Sequence, residues 1–111
     1  MAEALTAIRL YTGADGLSHV ERTLLPLDAL AKATGVRFAE TPAGSAFDWH
    51  TAPVTQYVVT LSGTLEFVTR DGESFQIGPG EVLLAEDTTG SGHRWRLIDD
   101  QPWRRVYITL P

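Results

Sequence analysis

The chain contains no cysteine among its 111 residues. Disulfides, thiolate metal sites and a cysteine nucleophile are therefore excluded, and any metal has to be held by nitrogen and oxygen. No apolar run approaches the ~20 residues that a membrane helix needs, so no membrane span is expected. Basic residues are few, with 9 Lys and Arg against 14 Asp and Glu and a formal net charge of −5. Those near the C-terminus, Arg94, Arg96, Arg104 and Arg105, are interleaved with Asp99 and Asp100. Phosphate neutralisation needs a clustered basic surface, so nucleic-acid binding is disfavoured. A Gly-rich phosphate loop, Gly-x-Ser-x-Gly and His-Glu-x-x-His are all missing. The N-terminus carries Glu3 and no basic stretch ahead of an apolar one, so it does not read as a secretory leader, and cytoplasmic residence is expected.

What is present suits one globular domain over residues 1–111. Hydrophobic residues make up 43% and charged residues 21%, and a chain of this length buries roughly 65% of its unfolded surface without needing staples. Short alternating runs dominate. Ile8 and Leu10 alternate with Arg9 and Tyr11, and Val20 and Leu24 with Glu21 and Thr23. Residues 36–40 continue the pattern. His19 falls on an exposed hairpin face and is given no role. Only Leu27–Thr34 has helical composition, with Asp28 as a cap and Gly35 as a stop, which predicts a short helix or a structured loop.

Further along, Asp71-Gly72 predicts a type I′ turn joining 64–70 to 73–77 as a hairpin. Gly78-Pro79-Gly80 predicts another tight turn. The centre of 81–86 is apolar on both faces, as in a strand buried on both sides. His93, Trp95 and Leu97 alternate with Arg94 and Arg96, which places His93 on the inward face. A last strand over 104–110 groups Val106, Ile108 and Leu110. Many short strands with turns between them predict an all-β sandwich or barrel.

The histidines carry the chemistry. Five residues separate Gly44 from His50, one separates His50 from Ala52, three separate Ala52 from Gln56 and six separate Gln56 from Gly63. This spacing over residues 44–63 resembles the first motif of the cupin superfamily: a glycine, His-x-His, a Glu three or four later, and a closing glycine. Gly90-Ser91-Gly92-His93 resembles the end of the second motif, and Gly78-Pro79-Gly80-Glu81 resembles the turn that precedes it, so the second motif spans about 78–97. The resemblance implies a double-stranded β-helix, the cupin jelly-roll barrel, whose mouth is a usual ligand site. It also implies a homodimer, with Tyr11, Tyr107 or Trp103 as candidates for apolar faces that a partner covers.

The departures from the pattern concern chemistry. The family's metal set falls on His50, Ala52, Gln56 and His93, so alanine replaces one histidine and glutamine replaces the carboxylate. Thr88 and Leu97 stand where the second motif has proline and asparagine. A set of His50, Gln56 and His93 holds a divalent ion (Fe, Mn, Ni or Zn) less well than one containing a carboxylate. Asp48, two residues before His50, and Glu86 and Asp87, near the His93 loop, are carboxylates within reach.

The expected function is binding of a small organic molecule. His50 and His93 are the candidate catalytic pair for an isomerase, cyclase or lyase step, because histidine titrates near neutral pH. Gln56, Asp48, Trp95 and Phe67 are the candidate substrate contacts, with Asp48 fixing the His50 tautomer. Two alternatives stand beside this one: a metal-dependent dioxygenase or lyase, and a non-catalytic binding or sensing module.

Overall fold

The computed structural model describes residues 4–111. Ten strands follow one another: β1 (Ala4–Thr12), β2 (Ser18–Pro26), β3 (Gly35–Thr41), β4 (Ala46–His50), β5 (Gln56–Ser62), β6 (Leu65–Thr69), β7 (Ser74–Ile77), β8 (Val82–Ala85), β9 (His93–Leu97) and β10 (Trp103–Thr109). They form a six-stranded sheet of order β2-β1-β8-β5-β10-β3 and a four-stranded sheet of order β4-β9-β6-β7. β1 and β8 run parallel, and the other pairs are antiparallel. The two sheets face each other as the expected all-β barrel.

Strand alternation fills the interior. Leu65 and Phe67 of β6, Trp95 and Leu97 of β9, Val58 of β5, Leu83 of β8 and Trp103 of β10 belong to one buried cluster with Leu10 and Ile77. Full burial of a side chain such as Phe67 stabilises the fold by about 1.5–3 kcal/mol.

Of the two alternatives expected for 27–34 the loop is found: among the described residues there is no helix, and this segment is exposed. Asp28 has φ 60° rather than the extended backbone of a cap, and eight residues that bury no apolar face cannot sustain a helix alone. The β6–β7 hairpin forms in the expected register, Leu65 opposite Ile77 and Phe67 opposite Phe75, but its turn is not type I′. Gly72 has φ 89° while Asp71 is not among the residues with positive φ, and the Gly72 N–H donates to the Thr69 carbonyl. This is a type I turn closed by a left-handed glycine, the common three-residue loop. The turn at 78–81 is type II, with Pro79 setting φ and Gly80 at φ 83°.

β10 groups Val106 and Ile108 on one face, as expected. Its inward set is Trp103, Arg105 and Tyr107. Val106 and Ile108 face outward and extend two apolar ladders across the six-stranded sheet, Phe38–Val106–Val59–Val82 and Val36–Ile108–Tyr57–Leu84. Trp103 is 3% exposed inside the core, and Tyr107 packs against that core. Neither forms the outer apolar face expected of it, because the strand carries apolar residues on both sides and its phase was ambiguous.

His19 has a structural role that its sequence position did not suggest. Its Nε2 lies 2.9 Å from Asp15 and its Nδ1 lies 3.3 Å from Asp71 and 3.8 Å from Glu73. The ring thus ties β2, an edge of the larger sheet, to the β6–β7 hairpin at an edge of the smaller one. The Asp15 hydrogen bond raises the His19 pKa above its ordinary value.

Candidate functional site

The site is built where β4, β5 and β9 meet. The β4–β9 register shifts between Phe47 and His50, with Phe47 opposite Trp95 and His50 opposite His93. Three steps along β4 therefore match two along β9, a β-bulge that brings Phe47 and His50 to the same face. Their rings stack with centroids 4.2 Å apart. The bulge moves Asp48 out of phase. Its carboxylate accepts a hydrogen bond from the Trp49 N–H at 2.8 Å and faces an outer groove shared with Glu66, Arg94 and Arg96. Simple alternation placed Asp48 beside His50; the extra residue turns it away. The Asp48 backbone, not its carboxylate, holds the histidine, with the carbonyl 2.7 Å from His50 Nδ1. A carbonyl only accepts, so Nδ1 carries the proton and Nε2 keeps its lone pair.

His93 is fixed from the other side. Its Nδ1 lies 2.6 Å from Oδ2 of Asp87, which also accepts the Ser18 hydroxyl at 2.8 Å. Asp87 and Ser18 are 0% exposed. The Asp87 backbone carbonyl accepts the Ala52 N–H at 3.0 Å, so one residue ties the two motif segments together. Among the described residues, Asp87 Oδ1 is the one fully buried side-chain polar atom without a partner. Of the carboxylates near His93 in sequence, Asp87 reaches it, while Glu86 pairs with Arg9 at 2.5 Å. Ser18 had no signal in the sequence, because its partner lies 69 residues away.

The two imidazoles have ring centroids 4.5 Å apart, tilted by 59°. Burial pushes the His50 pKa below the ordinary histidine value, and His93 beside it adds to the effect; the bond to the Asp48 carbonyl opposes it only in part. His50 is therefore neutral at neutral pH.

Both rings line a cavity of about 230 Å³ with Ala52, Gln56, Val58, Trp95, Trp103 and Tyr107 among its walls. Gln56 is 6% exposed and Trp95 8%, in the positions expected of them. Phe67 does not line the cavity. It is 2% exposed, stacks on Phe75 at 5.0 Å and sits 5.8 Å from the His93 ring. Its alternation phase is the inward one, but β6 faces the packed end of the barrel, so Phe67 supports His93 from behind.

Glycines permit the close approach of the strands. Gly92 has φ 73°, and a Cβ there would fall 2.2 Å from the His50 carbonyl oxygen. Gly63 has φ 88° and would place a Cβ 2.9 Å from the Pro102 carbonyl oxygen. Only glycine serves at either position.

The fold has counterparts among solved structures. A cupin domain from Bordetella pertussis Tohama I covers 100% of this chain and 98% of its own, with 17% identity and a TM-score of 0.55. The cupin domain of Schizosaccharomyces pombe Cnp3 covers 100% of this chain and 86% of its own, with 14% identity and a TM-score of 0.53. The chain adopts the cupin fold. A DUF861-family protein from Thermotoga maritima is also similar, at 26% identity over 67% of this chain and 77% of its own, with a TM-score of 0.56. No family model matches the sequence, and no curated protein matches it significantly. Among the described residues no helix is long and apolar enough to cross a membrane.

The metal set that cupin motifs imply fits this barrel poorly. The donors at those positions are two imidazoles and the neutral amide of Gln56, with Ala52 contributing none. Asp87 is engaged with His93 and Ser18, and Asp48 faces away. Arg37 and Arg105 line the same cavity, and their charge opposes a divalent cation where a carboxylate would have neutralised it.

Proposed function

We propose that this cupin binds a small organic molecule in its barrel and transforms it by acid–base chemistry, in an isomerisation, cyclisation, dehydration or lyase step. The observation that carries this reading is the histidine pair, each ring held through Nδ1 so that Nε2 is free, across one cavity of about 230 Å³. In this reading one Nε2 removes a proton from the substrate, and the pair returns it at another atom. Asp87 supports the charge that His93 gains, as a buried carboxylate does for a catalytic imidazole. Gln56 orients the substrate or polarises a carbonyl oxygen. His50→Ala and His93→Ala each lower turnover by about 10²–10⁴-fold in this account, and variants that turn the substrate over like the parent would contradict it. A ligand that stabilises the fold yet is recovered chemically unchanged would instead make the chain a sensing module. The cytoplasmic location expected from the sequence goes with this reading.

We also propose a homodimer through the outer face of the six-stranded sheet. Phe38 is 76% exposed and Val36 61% exposed, and both begin the apolar ladders described above. An apolar patch of that extent is unusual on a monomer. Sedimentation velocity should show a dimer for the parent and a monomer for Phe38→Glu with Val106→Glu. A parent that remains monomeric at high concentration would contradict the assembly.

A further inference from the structure

The cavity carries a charge that the histidine chemistry does not use. Although the chain has a net charge of −5, the fixed charges among the cavity walls are those of Arg37 and Arg105, with no carboxylate beside them. Arg105 is 8% exposed. Its Nε donates to the Tyr107 hydroxyl at 3.0 Å, and its Nη1 donates to Thr41 Oγ1 at 2.7 Å and to the Trp103 carbonyl at 2.9 Å. The guanidinium lies 3.9 Å from the centre of the Trp103 ring. All of these partners are neutral. The ion pairs made by arginines among the described residues fall on Arg9, Arg96 and Arg104, not on Arg105 or Arg37. A guanidinium stays charged at any working pH, and burying it without an anion is costly. Neutral partners therefore fix the Arg105 plane, and Nη2 enters none of these bonds.

Arg37 completes the arrangement. It stands opposite Tyr107 across the β3–β10 pair, and its guanidinium lies 4.3 Å from the Tyr107 ring centre, with Arg105 5.4 Å from the same ring. Two guanidinium groups thus share one tyrosine at the exposed mouth of the cavity, and the imidazole pair lines the same space. Planar guanidinium donors match a carboxylate in two-point contact. The volume of about 230 Å³ equals roughly eight waters, which suits a small acid and not a nucleotide or a peptide.

We infer that the barrel ligand is a small organic carboxylate, its carboxylate held by Arg105 and Arg37 and its remaining atoms directed to His50 and His93. The inference rests on the proposed use of the barrel as a ligand site but not on catalysis there.

The test is calorimetric titration of the full chain with pyruvate, L-lactate, malonate and succinate, and with the corresponding uncharged amides. At least one acid should bind saturably, with its amide bound more than tenfold more weakly. Arg105→Met should abolish that binding, Arg105→Lys should weaken it about tenfold by keeping the charge and losing the fork, and the surface-tolerant Arg37→Ala should weaken it about tenfold without altering the melting temperature. Binding by the amides as tight as by the acids, no saturable binding by any of the four acids, or acid binding unchanged in Arg37→Ala and Arg105→Lys would overturn the inference. The two readings separate: acid binding that survives His50→Ala with turnover intact leaves the carboxylate anchor standing and removes the histidine mechanism. Turnover of an uncharged compound that depends on His50 does the reverse.

Discussion

Asp87→Ala should destabilise the fold by about 2 kcal/mol or more, the range for leaving buried hydrogen-bond donors without their acceptor. The carboxylate is 0% exposed and holds both His93 Nδ1 and the Ser18 hydroxyl. Its loss leaves two buried donors unsatisfied, each costing about 1–3 kcal/mol. Against a total stability of about 5–15 kcal/mol for a native domain, this is a large fraction. Asp87→Asn keeps an acceptor and the side-chain volume, so it should recover part of the stability but not the orientation of His93. Chemical denaturation of the two variants measures both effects. A loss below about 0.5 kcal/mol for Asp87→Ala, the size of a surface change, would show that the carboxylate does not hold His93 as described.

His50→Ala or His93→Ala should lower turnover of the barrel ligand by about 10²–10⁴, the usual contribution of a positioned acid–base group. The pH dependence separates proton transfer from loss of shape. Burial holds the His50 pKa below its ordinary value of about 6.5, so the rate should fall on acidification only below that value, as His50 takes up a proton. The same shift acts on stability. Between the lowered folded value and 6.5 the unfolded chain binds more protons than the folded one, so His50 costs stability as pH falls through this window and costs none above it. His19 works in the opposite sense. Its folded pKa is raised, so its contribution is complete below about 6.5 and is lost as pH rises through the folded value. An acid limb of the rate profile lying above 6.5 would contradict a buried, neutral His50.

The fold was legible because glycines, turns and alternation act locally. Pro79 and Gly80 specify a type II turn by backbone geometry alone, and the phase of β9 follows from apolar residues on one face against arginines on the other. His50 and His93 were legible through their spacing, since motif offsets fix which strand ends meet. What escaped the sequence depended on a register change or on distant partners. The bulge at Asp48 and Trp49 reverses alternation within three residues, so the carboxylate that simple counting placed inside lies outside. Arg105 was hidden because β10 is apolar on both faces, and the side with more aliphatic residues forms an outer surface. Asp87 could be seen as near His93, but its role needed Ser18 of β2, whose position no local pattern reveals.

The central claim is that His50 and His93 are each held through Nδ1 with Nε2 free beside one cavity, and that His50 is neutral there. Long-range proton–nitrogen correlation spectra of the histidine side chains, recorded from pH 5 to 8, test it without a substrate. The account predicts a proton on Nδ1 of both rings, an unprotonated Nε2 on His50 at pH 7.5 and a His50 midpoint below 6.5. A proton on Nε2 of His50 at pH 7.5, or a His50 midpoint above 6.5, would contradict it.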